Sequence, residues 1–333
     1  GGSRARFASP AKFDVEWIRK YSLADPKDML SVMSAAARVS TCMTIIVTDC
    51  TRGLGLAKNF IDRYMRVMAH YPLVLLSLDM KAYALCTKYA KEKPKTMFCI
   101  PPKDKGPATC GYRYLTSPLY QLATWQKPLL GWMGTALNLT LLVSDIDVSI
   151  RKAVFDEPLP QVGMSFMCEN DGPNTGFIVI NNTYSTRLLP LMRDWITSKD
   201  RKPGLVPGAK WYNDQDGFCN TVLPYQGADG HGETRGVGAG QFYYFEPVSF
   251  NKTDLLACLN HVPDGDYLHG LKYMLGTNTL WPSYKGMCSN KQVVASHYSG
   301  FDDLTTKLTA MTKHCDYSGL LTGKLREQSA GAI

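Results

Sequence analysis

The chain has 333 residues, 45% of them hydrophobic and 11% aromatic, so it can bury the core of one large domain or of two ordinary ones. Its uninterrupted apolar runs, such as Leu73–Leu76, fall far short of the roughly 18 to 20 residues that cross a bilayer, which excludes a membrane span within this sequence. The net charge of +8 is spread along the chain without a dense basic run, so we expect no nucleic-acid partner.

The ten cysteines are scattered and form no CxxC pair, which favours a few structural disulfides over a zinc or redox site. Sequons for N-glycosylation at Asn138, Asn181 and Asn251 point to the same oxidising environment. The opening Gly1–Ser3 is typical of a cloning remnant. We therefore expect a protein of the Golgi or another secretory lumen, held to the membrane in its native form by a removed N-terminal anchor of type II orientation.

Residues 1–36 are polar and then amphipathic, which predicts a stem or covering segment before one domain at 37–325 and a flexible tail at 326–333. A strand at 44–48, a helix at 54–69, a strand at 73–78 and a helix at 80–92 form a βαβα series. Such a series predicts a parallel sheet with helices on its faces.

The second half begins after a predicted loop at 93–111 and a helical stretch at 117–135, which leads into the apolar strand of "LNLTLLVSDIDVSI". From about residue 160, short strands ("QVGMSFMC", "GFIVINN", "FYYFEPVSF", "QVVASHY") alternate with one helix at 183–198 and with Gly/Pro-rich loops. The glycine-rich segment 224–240 is the best candidate for a mobile active-site loop.

The segment "TIIVTDCTRGLGLAKNF" allows two interpretations. An apolar strand ends in Thr48 and Asp49, and Gly53 and Gly55 open a helix, which is close to the dinucleotide turn of short-chain dehydrogenases. Asp49 stands where that turn needs its first glycine, and the Tyr-x-x-x-Lys pair of those enzymes is missing from residues 150–210. An NAD(P)-dependent oxidoreductase is therefore the alternative, and a pocket for a nucleotide base is the preferred interpretation.

The segment "LLVSDIDVSI" places Asp145 and Asp147 two residues apart at the carboxyl end of an apolar strand, where an extended backbone puts both side chains on one side. Two such carboxylates repel each other unless a cation lies between them, so a divalent ion is their natural partner. Ligands of open α/β sheets bind at this end of the strands. The alternative is a solvated strand end with two ordinary acids.

Together with the βαβα half, the segments "SDIDV", "NTGFIVIN" and "WYNDQDGFCN" resemble the metal-dependent nucleotide-sugar glycosyltransferases of the GT-A fold. The resemblance covers about residues 42–315 and is closest to the nucleotide-diphospho-sugar transferases of family 77, which include plant cell-wall xylosyltransferases and arabinosyltransferases. It implies a Rossmann-like α/β domain with a mixed, mostly parallel sheet flanked by helices. It also implies a retaining enzyme that moves a hexose or pentose from a UDP-sugar to a hydroxyl of a glycan or glycoprotein.

Within that resemblance, Asp145 and Asp147 hold Mn²⁺ or Mg²⁺ against the donor diphosphate, with Asp145 also near the ribose. His297 in "VVASHYSG" completes the metal shell, and imidazole suits such an ion. The alternative for His297 is a surface or outer-shell histidine. A catalytically silent binding module would be expected to have lost some of these carboxylates, and they are present.

The resemblance also implies catalytic residues and donor-binding residues. Asp214, Gln215 and Asp216 lie beneath the donor sugar and are the catalytic candidates, although Asn213 or Asp214 could equally be the N-cap of a helix. The donor-binding candidates are Thr48, Asp49, Cys50, Asp79, Lys127, Asp145, Asn174, Thr175 and Gly176. For the turn at 174–176 and for Lys127, a plain turn and a solvated lysine are the alternatives.

Overall fold

The structure is a computed structural model that describes residues 13–50, 54–103, 118–159, 161–169, 172–201, 213–225, 234–237, 240–243, 255–259, 273–276, 293–298, 304–313 and 316. Within these ranges, no helix is both long enough and apolar enough to cross a membrane.

The helices, in chain order, are α1 (Val15–Tyr21), α2 (Pro26–Ala37), α3 (Leu54–Val67), α4 (Met80–Glu92), α5 (Pro118–Thr124), α6 (Gln126–Ala136), α7 (Ser185–Arg201), α8 (Asp214–Tyr225) and α9 (Leu304–Lys313). The strands are β1 (Cys42–Thr48), β2 (Leu73–Ser77), β3 (Met97–Ile100), β4 (Thr140–Ser144), β5 (Val148–Ile150), β6 (Met164–Glu169), β7 (Gly172–Ile180), β8 (Thr234–Val237), β9 (Gly240–Tyr243), β10 (Leu256–Cys258), β11 (Tyr273–Gly276) and β12 (Ala295–Tyr298).

The central sheet of the described residues has seven strands in the order β10-β6-β7-β4-β1-β2-β3. Strands β3, β2, β1 and β4 are mutually parallel, β7 runs antiparallel between β4 and β6, and β10 is parallel to β6. The carboxyl ends of β1, β2 and β4 therefore lie at the same edge as the residues that enter β7. The predicted fold class, a mixed and mostly parallel α/β sheet flanked by helices, is confirmed.

Both faces of the central sheet are covered, which is why β1 is buried without interruption from Met43 to Thr48. Ile45 and Val47 belong to one core cluster, which includes residues of α2 and α6. Ile46 points the other way and belongs to a second cluster with Phe60 and Ile61 of α3. Helix α1 and helix α2 contribute to the first cluster, so the segment before the first strand is part of the packed core.

A second sheet, in the order β11-β12-β5, adjoins the carboxyl end of β4. Strand β12 pairs antiparallel with β5, so that His297 lies opposite Val148, and it pairs parallel with β11. Helix α9 buries Leu308 and Met311 in the second core cluster. This arrangement brings the C-terminal part of the chain to the turn between β4 and β5.

The predicted loop at 93–111 is wrong in part, because Met97–Ile100 forms the edge strand β3 beside β2. Four residues are too few to show a strand period, and pairing with β2 decides their conformation. A disulfide between Cys86 and Cys99 ties this edge to α4 and confirms the prediction of structural disulfides.

Other differences concern element boundaries. The helical stretch predicted at 117–135 is two helices that meet at Trp125, and the helix predicted at 183–198 is α7, preceded by a 3-10 turn at Asn182–Tyr184. Of the predicted strand "FYYFEPVSF" only the start belongs to β9, and of the predicted loop at 224–240 only 224–225, β8 and the first residue of β9 are described. The remaining residues of both segments lie outside the described ranges.

Candidate active site

The turn between β4 and β5 is attached to both sheets. The Asp145 backbone N–H donates to the Gly176 carbonyl at 2.8 Å, which fixes this residue to the middle of β7. The Asp147 carbonyl accepts from the Tyr298 N–H at 3.2 Å, which fixes the second aspartate to β12. The two carboxylates therefore stand at the junction of the sheets, with His297 next to Tyr298.

Asp145, Asp147 and His297 come together as predicted, with one ligand atom from each lying within 4.8 Å of the others. His297 Nε2 is 3.3 Å from Asp147 Oδ1, close to the roughly 3 Å between neighbouring ligands of an octahedral ion. Asp147 Oδ1 and His297 Nδ1 are buried, and neither has a hydrogen bond to any described residue. His297 is 2% exposed, which excludes the alternative of a surface histidine.

This donor set fits Mn²⁺ or Mg²⁺. Carboxylate oxygens are the ligands that hard divalent cations prefer, and a neutral imidazole suits Mn²⁺. Asp147 Oδ1 lies beside the imidazole nitrogen, so an ion bound by both atoms would satisfy a buried acceptor that has no hydrogen bond from the described residues.

Lys127 links this group to the second acidic motif. Its ammonium lies 2.9 Å from Asp145 Oδ1 and 3.3 Å from Asp214 Oδ2, and it donates to the Thr175 carbonyl at 3.1 Å. The side chain is 3% exposed, so the alternative of a solvated surface lysine is wrong. Helix α6 is buried along most of its length. The Lys127 charge on this helix is therefore tolerated only because it is paired with carboxylates.

Lys307 was not predicted, although it belongs to the same group. It lies on α9 and donates to Asp147 Oδ2. Burial by itself would raise the pKa of the Asp147 carboxyl, but the charges of Lys307 and His297 outweigh burial and hold this pKa well below its usual range. A single lysine on an amphipathic helix 160 residues along the chain carries no local signal of such a contact.

Gly176 allows the close approach of Asp145 and His297. A Cβ at this position would lie 2.7 Å from Asp145 Oδ2 and 2.8 Å from His297 Nε2, and it would also collide with His297 Cε1. The Gly176 N–H donates to Asn174 Oδ1 at 2.8 Å, and the Thr175 N–H donates to Gln215 Oε1 at 3.2 Å. The predicted turn before the strand is wrong, because Asn174–Gly176 lie inside β7, where its pairing with β6 shifts register.

The Asp-Gln-Asp motif has two separate roles. Asn213 is the N-cap of α8, because Asp216 N–H donates to Asn213 Oδ1 at 3.0 Å and Asn213 N–H donates to Asp216 Oδ2 at 2.9 Å, a reciprocal capping box. Asp214 instead faces Lys127, and its carbonyl accepts from Trp195 Nε1 at 2.7 Å. Asp216 therefore takes part in the helix cap, and Asp214 takes part in the candidate site.

Burial raises the pKa of both of these carboxyls. For Asp214, burial and the nearby Asp145 raise the pKa, while the Lys127 charge opposes them. For Asp216, burial raises the pKa to about 6, the hydrogen bond from the Asn213 backbone lowers it and Asp214 adds to the rise.

The remaining donor-binding candidates follow β1 and β2 at the same sheet edge. Thr48 and Asp49 are fully buried. Asp79 is the N-cap of α4, since its Oδ1 accepts from the N–H groups of Lys81 and Ala82 at 2.8 Å, while its Oδ2 accepts from the Cys50 N–H. Cys50 is also disulfide-bonded. Asp79 and Cys50 therefore hold the two strand ends together.

No protein-family model matches the chain, and no curated protein matches it significantly. Solved structures that resemble it include the glycosyltransferase GlyE of Streptococcus pneumoniae TIGR4, with 14% identity and a TM-score of 0.35 over 54% of this chain and 42% of that one. The bifunctional glycosyltransferase WbbM has 10% identity and a TM-score of 0.42 over 83% of this chain and 51% of that one.

The galactosyltransferase LgtC, solved with donor and acceptor sugar analogues, has 12% identity and a TM-score of 0.44 over 86% of this chain and 99% of that one. The chain thus spans about half or less of the GlyE and WbbM chains. Because all of these similarities are low, we base the function on the geometry of the site itself.

Proposed function

We propose that the chain is a divalent-metal-dependent, retaining glycosyltransferase of the nucleotide-diphospho-sugar transferase type that its sequence resembles. It transfers a hexose or pentose from a UDP-sugar to a hydroxyl of a glycan or glycoprotein. The observation that carries this proposal is the meeting of Asp145, Asp147 and His297 at the carboxyl edge of the sheet, joined through Lys127 to Asp214.

Asp145, Asp147 and His297 would hold Mn²⁺ or Mg²⁺. The ion supplies Lewis-acid stabilisation of the diphosphate leaving group, so that departure needs no proton. Lys127 keeps Asp145 in place from the side of the central sheet, and Lys307 does so for Asp147 from α9. Both carboxylates are therefore oriented before the donor arrives, which is the property that makes electrostatic catalysis effective.

Asp214 is our candidate for the carboxylate that faces the donor sugar. Asp216 is engaged in the cap of α8, and Gln215 accepts a hydrogen bond from the Thr175 N–H. Asp214, buried and paired with Lys127, is held rigidly by Trp195 and can stabilise positive charge at the anomeric carbon. The retention of anomeric configuration that we propose rests on the family resemblance.

We expect the nucleoside part of the donor at the carboxyl ends of β1 and β2, where Thr48 and Asp49 would contact the base or ribose. Cys50 and Asp79 would hold these two strand ends together. We also propose residence in a secretory lumen such as the Golgi, with a type II anchor in the native protein. The Cys86–Cys99 disulfide supports an oxidising compartment.

The test is hydrolysis and transfer with a panel of UDP-sugars in the presence and absence of Mn²⁺, with the anomeric configuration of the product followed by NMR. We expect metal-dependent turnover that Asp147→Asn lowers at least about a hundredfold, since Lewis-acid stabilisation contributes several kcal/mol. Asp194→Asn, at an exposed ion pair with Arg201 on α7, is the matched control and should behave as wild type.

Two results would contradict the proposal. One is the absence of binding or turnover of any nucleotide sugar, with Asp147→Asn indistinguishable from wild type. The other is tight binding of NAD(P), which would favour the oxidoreductase alternative.

A further inference from the structure

A second buried charge group lies behind the metal site. Asp316, which follows α9, is completely buried. Its Oδ1 accepts from Arg151 Nε at 2.8 Å and lies 3.4 Å from Arg63 Nη1, and its Oδ2 accepts from the Tyr298 hydroxyl at 2.6 Å. Its carbonyl accepts from Asn59 Nδ2 at 2.9 Å. We name Asp316, Arg63, Arg151 and Tyr298 the Asp316 brace.

The brace joins four elements that are distant in the sequence. Arg63 comes from α3, Arg151 follows β5, Tyr298 ends β12, and the Asp316 N–H donates to the Met311 carbonyl of α9 at 2.6 Å. The Tyr298 hydroxyl and the two arginines all contact one fully buried carboxylate, and hydrogen bonds to a charged acceptor are among the stronger ones in proteins. The group is therefore a fixed connection between the second sheet, α3 and α9.

Three of the four elements, β5, β12 and α9, also carry or adjoin a part of the candidate metal site. His297 immediately precedes Tyr298, whose N–H is bonded to the Asp147 carbonyl. Strand β5, which Arg151 follows, begins immediately after Asp147, and α9 carries Lys307. A shift of β12 or α9 would thus change the separation of His297 and Asp147 directly.

We propose that Asp316 is a positioning residue for the metal site, acting through Tyr298 and Arg151 to hold His297 and Asp147 at ligand distance. This inference rests on the proposed function. Groups that orient metal ligands typically change metal affinity about 10- to 100-fold when they are removed. A side chain that only stabilised the fold would change the unfolding temperature without changing the affinity of the folded protein for metal.

The experiment uses Tyr298→Phe, which removes only the hydroxyl that bonds Asp316. Tyr64→Phe is the matched control, because Tyr64 is also fully buried and its hydroxyl donates to the carbonyls of Tyr71 and Pro72, at the opposite end of the sheet. The Kd for Mn²⁺ is measured by electron paramagnetic resonance of free Mn²⁺, and thermal unfolding is measured on the same samples.

We expect both variants to lower the unfolding temperature, and only Tyr298→Phe to weaken Mn²⁺ binding, by about tenfold. Asp316→Asn, wherever it folds, should weaken binding at least as much. If the wild type binds Mn²⁺ and turns over donor, equal Mn²⁺ affinity in the two tyrosine variants would overturn this inference and leave the proposed function standing. A wild type that binds no Mn²⁺ would overturn the metal-dependent function and this inference with it.

Discussion

The absence of a side chain at Gly176 decides whether the metal-site residues can meet. An added Cβ would lie 2.7 Å from Asp145 Oδ2 and 2.8 Å from His297 Nε2, closer than side-chain carbons approach other atoms. Neither neighbour can yield easily, because Asp145 is paired with Lys127 and the His297 ring is buried. Even alanine at this position must therefore displace Asp145 or His297, two of the candidate metal ligands.

We predict that Gly176→Ala weakens Mn²⁺ binding at least about tenfold, the effect typical of misoriented ligands, with a parallel loss of donor turnover. Gly131→Ala in α6 is the control, because its Cβ would meet the flexible end of Met192 at 2.9 Å. Titration with Mn²⁺ checks both variants. Wild-type affinity in Gly176→Ala would show that the site has more room than the structure indicates.

Helix α8 begins with a capping box that uses a carboxylate with a raised pKa. The pKa of Asp216 is raised from 3.8 to about 6, first by burial, so the folded protein binds this proton more tightly than the unfolded chain does. Its contribution to stability is therefore complete below about pH 4 and is lost as the pH rises through about 6. Above that pH, the start of α8 includes a charged and largely buried side chain.

We predict that Asp216→Asn removes this pH dependence while it keeps an acceptor for the Asn213 N–H. Relative to wild type, the free energy of unfolding of the variant should rise between pH 4 and pH 7 by up to about 3 kcal/mol, since one pKa unit corresponds to about 1.4 kcal/mol. Urea denaturation at several pH values measures the difference. Parallel pH profiles for the two proteins would contradict the prediction.

Across the molecule, the covalent cross-link and the candidate site occupy different parts of the central sheet. The Cys86–Cys99 disulfide joins α4 to β3, the edge strand on one side. The candidate metal-site residues follow β4 and lie on β12, with β1 and β2 between β4 and that edge. Removal of the disulfide should therefore lower the stability of the fold without changing the affinity for metal.

We predict that the double replacement Cys86→Ala with Cys99→Ala lowers the free energy of unfolding by about 3 kcal/mol, the value expected for closing a loop of roughly 15 residues. Mn²⁺ affinity should be unchanged. Cys42→Ala, at a cysteine outside any disulfide, is the control, and it should lower the free energy of unfolding much less. A drop in metal affinity in the double variant would show that the β3 edge and the site are coupled.

Much of the fold is predictable because its signals are local. The apolar runs of β1 and β2, the amphipathic α3 and α4 and the acidic end of β4 are visible in short windows of sequence. Strand β3 is not, because its four residues become a strand only through pairing with β2. The sequence also cannot tell whether Asn213 or Asp214 caps α8 or contacts the site. Residues of one short polar segment can do either, and only the folded structure shows which partner each one has.

The sequence by itself determined the α/β class and placed Asp145 and Asp147 among the candidates, because strand ends and acidic spacing are local properties. His297 and Asp214 became candidates through the family resemblance. Only the tertiary structure decided which charges meet. Lys127 joins Asp145 to Asp214, Lys307 reaches Asp147 from α9, and Asp316 closes the brace behind His297. The contacts of Lys307 with Asp147 and of Arg151 with Asp316 connect residues 160 and 165 positions apart. Their energies depend on burial and on the exact partner, and neither quantity exists until the chain has folded.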